Sequence, residues 1–217
     1  MKNQLYPIFL KLNQFDILIV GGGSIGLEKL QSVIKNSPKT KITIVSKTFN
    51  PKILFIAANH KNIKIEQRAF AQSDLNNKDL VIVATDNAKL NGKIKAKASK
   101  KRILANVADS PALCDFYLGS IVQKGDLKVA VSTNGSSPIL ARRLREFFEQ
   151  VIPDDITKSI GNLKKIRGKI SGGLSRKVKI LNSITEVLEE EKENKEESII
   201  QKRSEEFPAI NIEYGLN

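Results

Sequence analysis

The sequence predicts an α/β chain: a doubly wound parallel sheet, then a small α+β segment, then a C-terminal helical region. Three observations carry that expectation. Short, nearly continuous apolar runs alternate with helical stretches along the first half, as strands buried on both faces do. A glycine-rich loop joins the first run to an amphipathic helix. After Asp115 the alternation stops and a hairpin signal takes its place.

The elements follow in order. "DILIV" (16–20) is the first buried strand, and it feeds "GGGSIG". Ile25, Leu27, Leu30, Val33 and Ile34 then recur at helical spacing. "KITIV" (41–45) is the second strand and "NIKIE" (62–66) a third, nearer an edge. "DLVIVAT" (79–85) is the fourth, with Asp86 as N-cap of a lysine-rich helix ending near Arg102. "ILANV" (103–107) completes the series. "FYLGSIVQKGDLKVAVST" reads as two strands joined at "KGD". In "SSPILARRLREFFEQVI", Ser136 or Ser137 is the expected N-cap and Pro138 sits in the first turn. Pro153 ends that helix, and "SGG" (171–173) is an interhelix turn. From about Glu191 the chain is polar enough to be partly disordered. The expected domains are residues 1–112, 113–150 and 151–217.

Composition narrows the function. With 217 residues, the chain can bury one good core and an appendage. No apolar run approaches the ~20 residues that span a bilayer. The start, "MKNQLYPIFLKLNQ", lacks the long apolar stretch and small-residue cleavage site of an export signal, so the cytoplasm is the expected compartment. Cys114 and His60 are the only cysteine and histidine, which excludes a disulfide framework and a thiolate or imidazole metal cluster. No resident metal is expected. His60, in polar "NHKN", reads as a surface residue, and Cys114 as a small core hydrophobe.

A net charge of +13 points to an anionic partner: nucleic acid, an acidic membrane surface, or a polycarboxylate or phosphate ligand. Its distribution decides among them. From Ile156 to Thr185 there are eight Lys/Arg and no acid, then seven glutamates against two lysines up to Glu197. Blocks of that kind are solvated helix faces, so neither nucleic acid nor a membrane is the expected partner.

Gly21, Gly23 and Gly26 form G-x-G-x-x-G between an apolar strand and a helix, the setting of a Rossmann-type dinucleotide site. The first glycine permits the turn, the second admits a pyrophosphate, and the third packs helix on strand. The phosphates then meet free N–H groups at the helix start. An acid normally holds the ribose of NAD about twenty residues on. Here the second strand ends in Ser46, Lys47 and Thr48. Ser46 or Thr48 can bond a ribose and Lys47 can accept an extra phosphate, so these residues leave NAD and NADP both open. Thr85, at the end of the fourth strand, is placed to line the same crevice.

Five blocks in fixed order resemble the precorrin-2 dehydrogenase family, the siroheme synthases. They are "YPIFLKL" (6–12), "VGGG" (20–23), "ATD" (84–86), Asn106 to Asp109 ahead of a proline, and "STNGSSPILARRLRE" (132–146). The last is far more specific than the glycine loop. The resemblance covers about residues 5 to 150 and fades after Pro153.

That resemblance implies a homodimer with a Rossmann domain, a central dimerisation segment and a C-terminal helical domain. It implies oxidation of precorrin-2 to sirohydrochlorin with NAD as cofactor. Some members also insert iron, which makes ferrous ion a second candidate substrate. Asp109 corresponds to the aspartate implicated in the family's chemistry. Ser24, Ile25, Lys47 and Thr48 correspond to cofactor positions, and the absent acid is usual there, which favours NAD. Ser132, Thr133, Asn134 and Gly135 correspond to a loop near the tetrapyrrole, and some relatives carry serine in place of Thr133.

The residues themselves agree with this expectation. Precorrin-2 carries eight carboxylates, which suits a basic protein. Arg142 and Arg145, three apart, share a helix face, as recognition of a carboxylate requires; the plainer reading is a pair of solvated arginines. Asp109 follows a strand C-terminus, where open α/β sheets bind ligands, although Asp-Ser-Pro is also a turn-former. Asp115 reads as a cap or salt-bridge partner. Two other functions fit the composition. One is an NAD-dependent dehydrogenase of another acidic metabolite. The other is a non-catalytic nucleotide sensor with a DNA-binding tail, for which the sequence holds no helix-turn-helix signature.

Overall fold

A computed structural model describes residues 3–185, so the polar stretch from Glu191 lies outside the described residues. Five strands form one wholly parallel sheet: β1 (Asp16–Val20), β2 (Lys41–Ser46), β3 (Ile63–Gln67), β4 (Leu80–Val83) and β5 (Leu104–Val107). Their order is β3-β2-β1-β4-β5, so the chain winds outward to one side, then crosses β1 to build the other. The reversal lies between β1 and β4, where such sheets hold their ligands.

Strand alternation explains the two layers. In β1, Ile17 and Ile19 face one side, where Leu30 and Val33 of α1 (Ser24–Asn36) and Ile53 of α2 (Pro51–Ala58) cover them. Leu18 and Val20 face the other side, against Ile94 and Ala98 of α3 (Ala88–Lys100). Both faces of β1 are buried, which is why the strand is apolar throughout. Truncating a central residue such as Ile44, fully buried in β2, costs about 2–5 kcal/mol.

Two local features differ from expectation. Asn87, not Asp86, caps α3: its side-chain oxygen accepts the Leu90 N–H at 2.9 Å. The strand stops at Val83 and the turn runs one residue longer, placing Asp86 outside the cap position. The helix α2 was not among the expected elements, although Asn50 accepts the Lys52 N–H and Pro51 opens the first turn.

Beyond the sheet lie a two-stranded hairpin, β6 (Ser120–Lys124) and β7 (Leu127–Val131), and the helix α4 (Pro138–Val151). Gly125, with φ of +55°, supplies the left-handed first position of the two-residue turn. Ser137 caps α4 by accepting the Leu140 N–H. The chain divides into two compact units: residues up to Val122 with Val129–Phe148, and Gln123–Lys128 with the chain from Glu149 onward. In the second unit, the Lys124 ammonium pairs with Asp154. It also contains α5 (Ile156–Lys169) and α6 (Leu174–Thr185), with the expected turn at 171–173 between them. Among the described residues, no helix is long and apolar enough to cross a membrane.

Candidate active site

The glycine loop is built by close approach. Gly21 has φ of +119°, and a Cβ there would lie 2.2 Å from the Ala84 carbonyl oxygen. A Cβ on Gly26 would lie 2.1 Å from the Gly21 carbonyl oxygen. Gly22 is equally enclosed by the backbone of Thr48, and the Asn50 N–H bonds its carbonyl. Gly23 differs: no atom lies within 4 Å of where its Cβ would be. Gly23 is also the N-cap of α1, and no side chain caps that helix. The first-turn N–H groups have no intrahelical partner, so exposed Ser24 and Ile25 present bare donors beside open space. That arrangement fits a dinucleotide pyrophosphate.

Downstream of β5, the chain turns sharply through Val107–Ser110, closed by the Ser110 N–H to Val107 carbonyl bond. Asp109 adopts φ of +55°, a conformation that aspartate and asparagine tolerate better than most residues. Its carboxylate is exposed and makes no hydrogen bond or ion pair with any described residue. Asp109 is therefore a turn-former and also a free charged group.

Asp109 lines a cleft of about 500 Å³ together with Ile25 of α1, Ser110 and Pro111. The serine- and glycine-rich loop lines the same cleft through Ser132, Thr133 and Gly135. That loop is pinned by Thr133, whose hydroxyl accepts the Ser137 N–H and donates to the Ser137 carbonyl. Asn134 and Gly135 both take left-handed φ, and Gly135 faces Pro111. Three segments far apart in sequence, the glycine-loop helix, the Asp109 turn and the serine loop, thus share one cleft.

Other expected residues fall elsewhere. Asn134, Arg142 and Arg145 are not on the cleft wall. Arg142 and Arg145 do share a helix face, where both bond the carboxylate of Glu146. Thr85 has its hydroxyl committed to the side chain of Asn91 in α3. Lys47 and Thr48 are exposed just after β2, beside the enclosed Gly22. Conversely, Lys29, Tyr117 and Ser120 line the cleft without having been singled out by the sequence, and Asn106, the start of the 106–109 block, lines it too. Lys29 follows Ile25 by one helical turn, a signal that spacing could have given.

Asp115, the residue after the cleft-lining Cys114, ties the chain to β5 and α3. Its carboxylate takes the Lys95 ammonium at 2.5 Å and the Ala105 N–H at 2.9 Å. Burial alone would raise its pKa. The hydrogen bonds from Lys95 and Ala105, with the Lys95 charge, outweigh that and hold the carboxyl below its usual range. Among the described residues, no group of three or more His, Cys, Asp or Glu is arranged to hold a metal ion.

Residues 8–120, just over half of the chain, match the family model described as "Putative NAD(P)-binding". The chain belongs to that NAD(P)-binding family. Residues 124–150 match a second model, described as sirohaem biosynthesis protein central. Among curated relatives, siroheme synthase 1 of Serratia proteamaculans is 36% identical over 180 residues, covering 83% of this chain and 36% of the relative. The siroheme synthase of Psychromonas ingrahamii is 41% identical over 147 residues, 68% of this chain and 30% of the relative. The chain spans about a third of the length of these curated relatives. A solved structure named SirC, precorrin-2 dehydrogenase, superposes with a TM-score of 0.68 at 26% identity, covering 83% of this chain and 89% of the other. The family resemblance read from the sequence is borne out, as is the Rossmann-type fold. The NAD(P)-binding assignment fits the open Gly23 cradle and the bare α1 N-terminus.

Proposed function

We propose that this chain oxidises precorrin-2 to sirohydrochlorin, with NAD as the hydride acceptor. The observation that carries the proposal is the shared cleft, which an unpartnered Asp109 lines together with a serine loop and the helix that follows the glycine loop. Support comes from the siroheme synthase relatives and the precorrin-2 dehydrogenase fold neighbour.

Oxidation removes a hydride and a proton from the substrate. When bound, NAD accepts the hydride; the protein's task is orientation and proton handling. The α1 N–H groups and Gly23 hold the pyrophosphate. Asp109 takes the proton: among the described residues, the other carboxylate on the cleft wall is Glu28, which is paired with Lys29. Ser132 and Ser120 line the cleft and offer hydroxyls to substrate carboxylates, as Lys29 does once Glu28 is displaced. Arg142 and Arg145 serve as an outer carboxylate-binding pair if Glu146 is displaced. NAD rather than NADP follows from the family pattern at Lys47 and Thr48. Residues 113–150 form the dimerisation segment of a homodimer, because the hairpin strands lie outside the main sheet.

The test is direct: purified protein, precorrin-2 and NAD are mixed and NADH absorbance is followed. Stoichiometric NADH with the spectrum of sirohydrochlorin is the expected result. No NADH above a protein-free control would refute the proposal.

A further inference from the structure

At the free edge of the sheet, β5 presents the backbone groups of Ala105 and Val107 away from β4, since the Ala108 N–H is the one directed at Val83. Unpaired edge groups of this kind need partners. Asp115 satisfies both groups of Ala105, through its own N–H and its carboxylate. The Cys114 thiol lies against both groups of Val107. Its sulfur lies 3.2 Å from the Val107 amide nitrogen and 3.2 Å from the Val107 carbonyl oxygen. It also lies 3.5 Å from the Ser110 carbonyl, the far end of the turn that carries Asp109. The Asn106 side-chain amide reaches the same sulfur at 3.6 Å.

We infer that Cys114 is a positioning residue that acts through Asp109, an inference that rests on the function proposed above. Asp109 has no side-chain partner among the described residues, so the backbone of its turn is what places its Cα–Cβ bond at the cleft. One thiol accepts the Val107 N–H and has a single hydrogen to donate, to the carbonyl at one end of that turn, Val107 or Ser110. Cys114 also packs on the apolar cluster of β5 and α3, as the sequence suggests. A mere filler, however, needs neither a donor nor an acceptor.

The experiment is a double-mutant cycle on precorrin-2 turnover with Cys114→Ala, Asp109→Asn and the combination. Cys114→Ala is expected to lower kcat about fivefold while KM and NAD affinity hold, the size of one lost hydrogen bond. Cys114→Ser, which retains a donor and an acceptor, should recover most of the loss. In the Asp109→Asn background, Cys114→Ala should have no further effect. Multiplicative effects, or a serine variant as slow as the alanine one, would overturn the inference while leaving the proposed function intact. An inactive wild type would instead overturn that function, and this inference with it. Should alanine leave the chain unfolded, Cys114→Thr and Cys114→Val, matched in size, repeat the comparison.

Discussion

The carbonyl oxygen of Gly21 occupies the place a side chain on Gly26 would need, 2.1 Å from the position of its Cβ. Gly23, between them, faces open space. Identical substitutions at these two glycines should therefore separate stability from binding. Gly26→Val should destabilise the fold by several kcal/mol, since backbone must move. Gly23→Val should melt near the wild-type temperature, yet lose NAD binding in calorimetry, because its side chain fills the pyrophosphate space. Unaltered NAD affinity in folded Gly23→Val would move the cofactor away from this loop.

Cofactor choice is checked by titrating both dinucleotides. NAD should bind more tightly than NADP. A clear preference for NADP would make exposed Lys47 a phosphate contact.

Much of this was legible in the sequence because it is written in local patterns. Apolar runs mark the five strands, and the glycine loop between strand and helix marks the NAD(P)-binding fold. The missing parts depend on contacts distant in sequence. Nothing local in "LCDFY" says that Cys114 and Asp115 bond the edge of β5, seven and ten residues back. Arg142 and Arg145 were read correctly as sharing a helix face, but not as bonded to Glu146, because one exposed acid can serve either arginine. The Asp86 cap was missed by one residue, since strand ends depend on their neighbours in the sheet.

The Asp115 clasp makes a pH-dependent prediction. Its carboxyl is held below the usual value in the folded state. The stabilisation is then fully present above the unfolded value of about 3.9 and is lost as pH falls through the lower folded value. Asp115→Asn should cost about 1 kcal/mol near neutral pH, shrinking towards zero in strong acid. Denaturant unfolding of both proteins at several pH values measures this. A constant difference across the range would assign the effect to packing.

The helix α4 carries exposed apolar side chains, among them Ile139 and Leu140. Light scattering at micromolar concentration should give the mass of a dimer, and a charge at Ile139 should weaken it. A monomeric wild type would contradict the proposed role of residues 113–150.

The central claim is that Asp109 is chemical as well as architectural. Asparagine keeps its size and its tolerance of the left-handed φ of +55°, but removes charge and basicity. Alanine would confound the test by straining the turn. The decisive measurement is precorrin-2 turnover by Asp109→Asn, alongside its melting temperature and NAD affinity. The account predicts a folded protein that binds NAD normally and turns over at least about tenfold more slowly, a barrier increase of roughly 1.4 kcal/mol. Turnover at the wild-type rate would contradict it and leave Asp109 as a turn residue only.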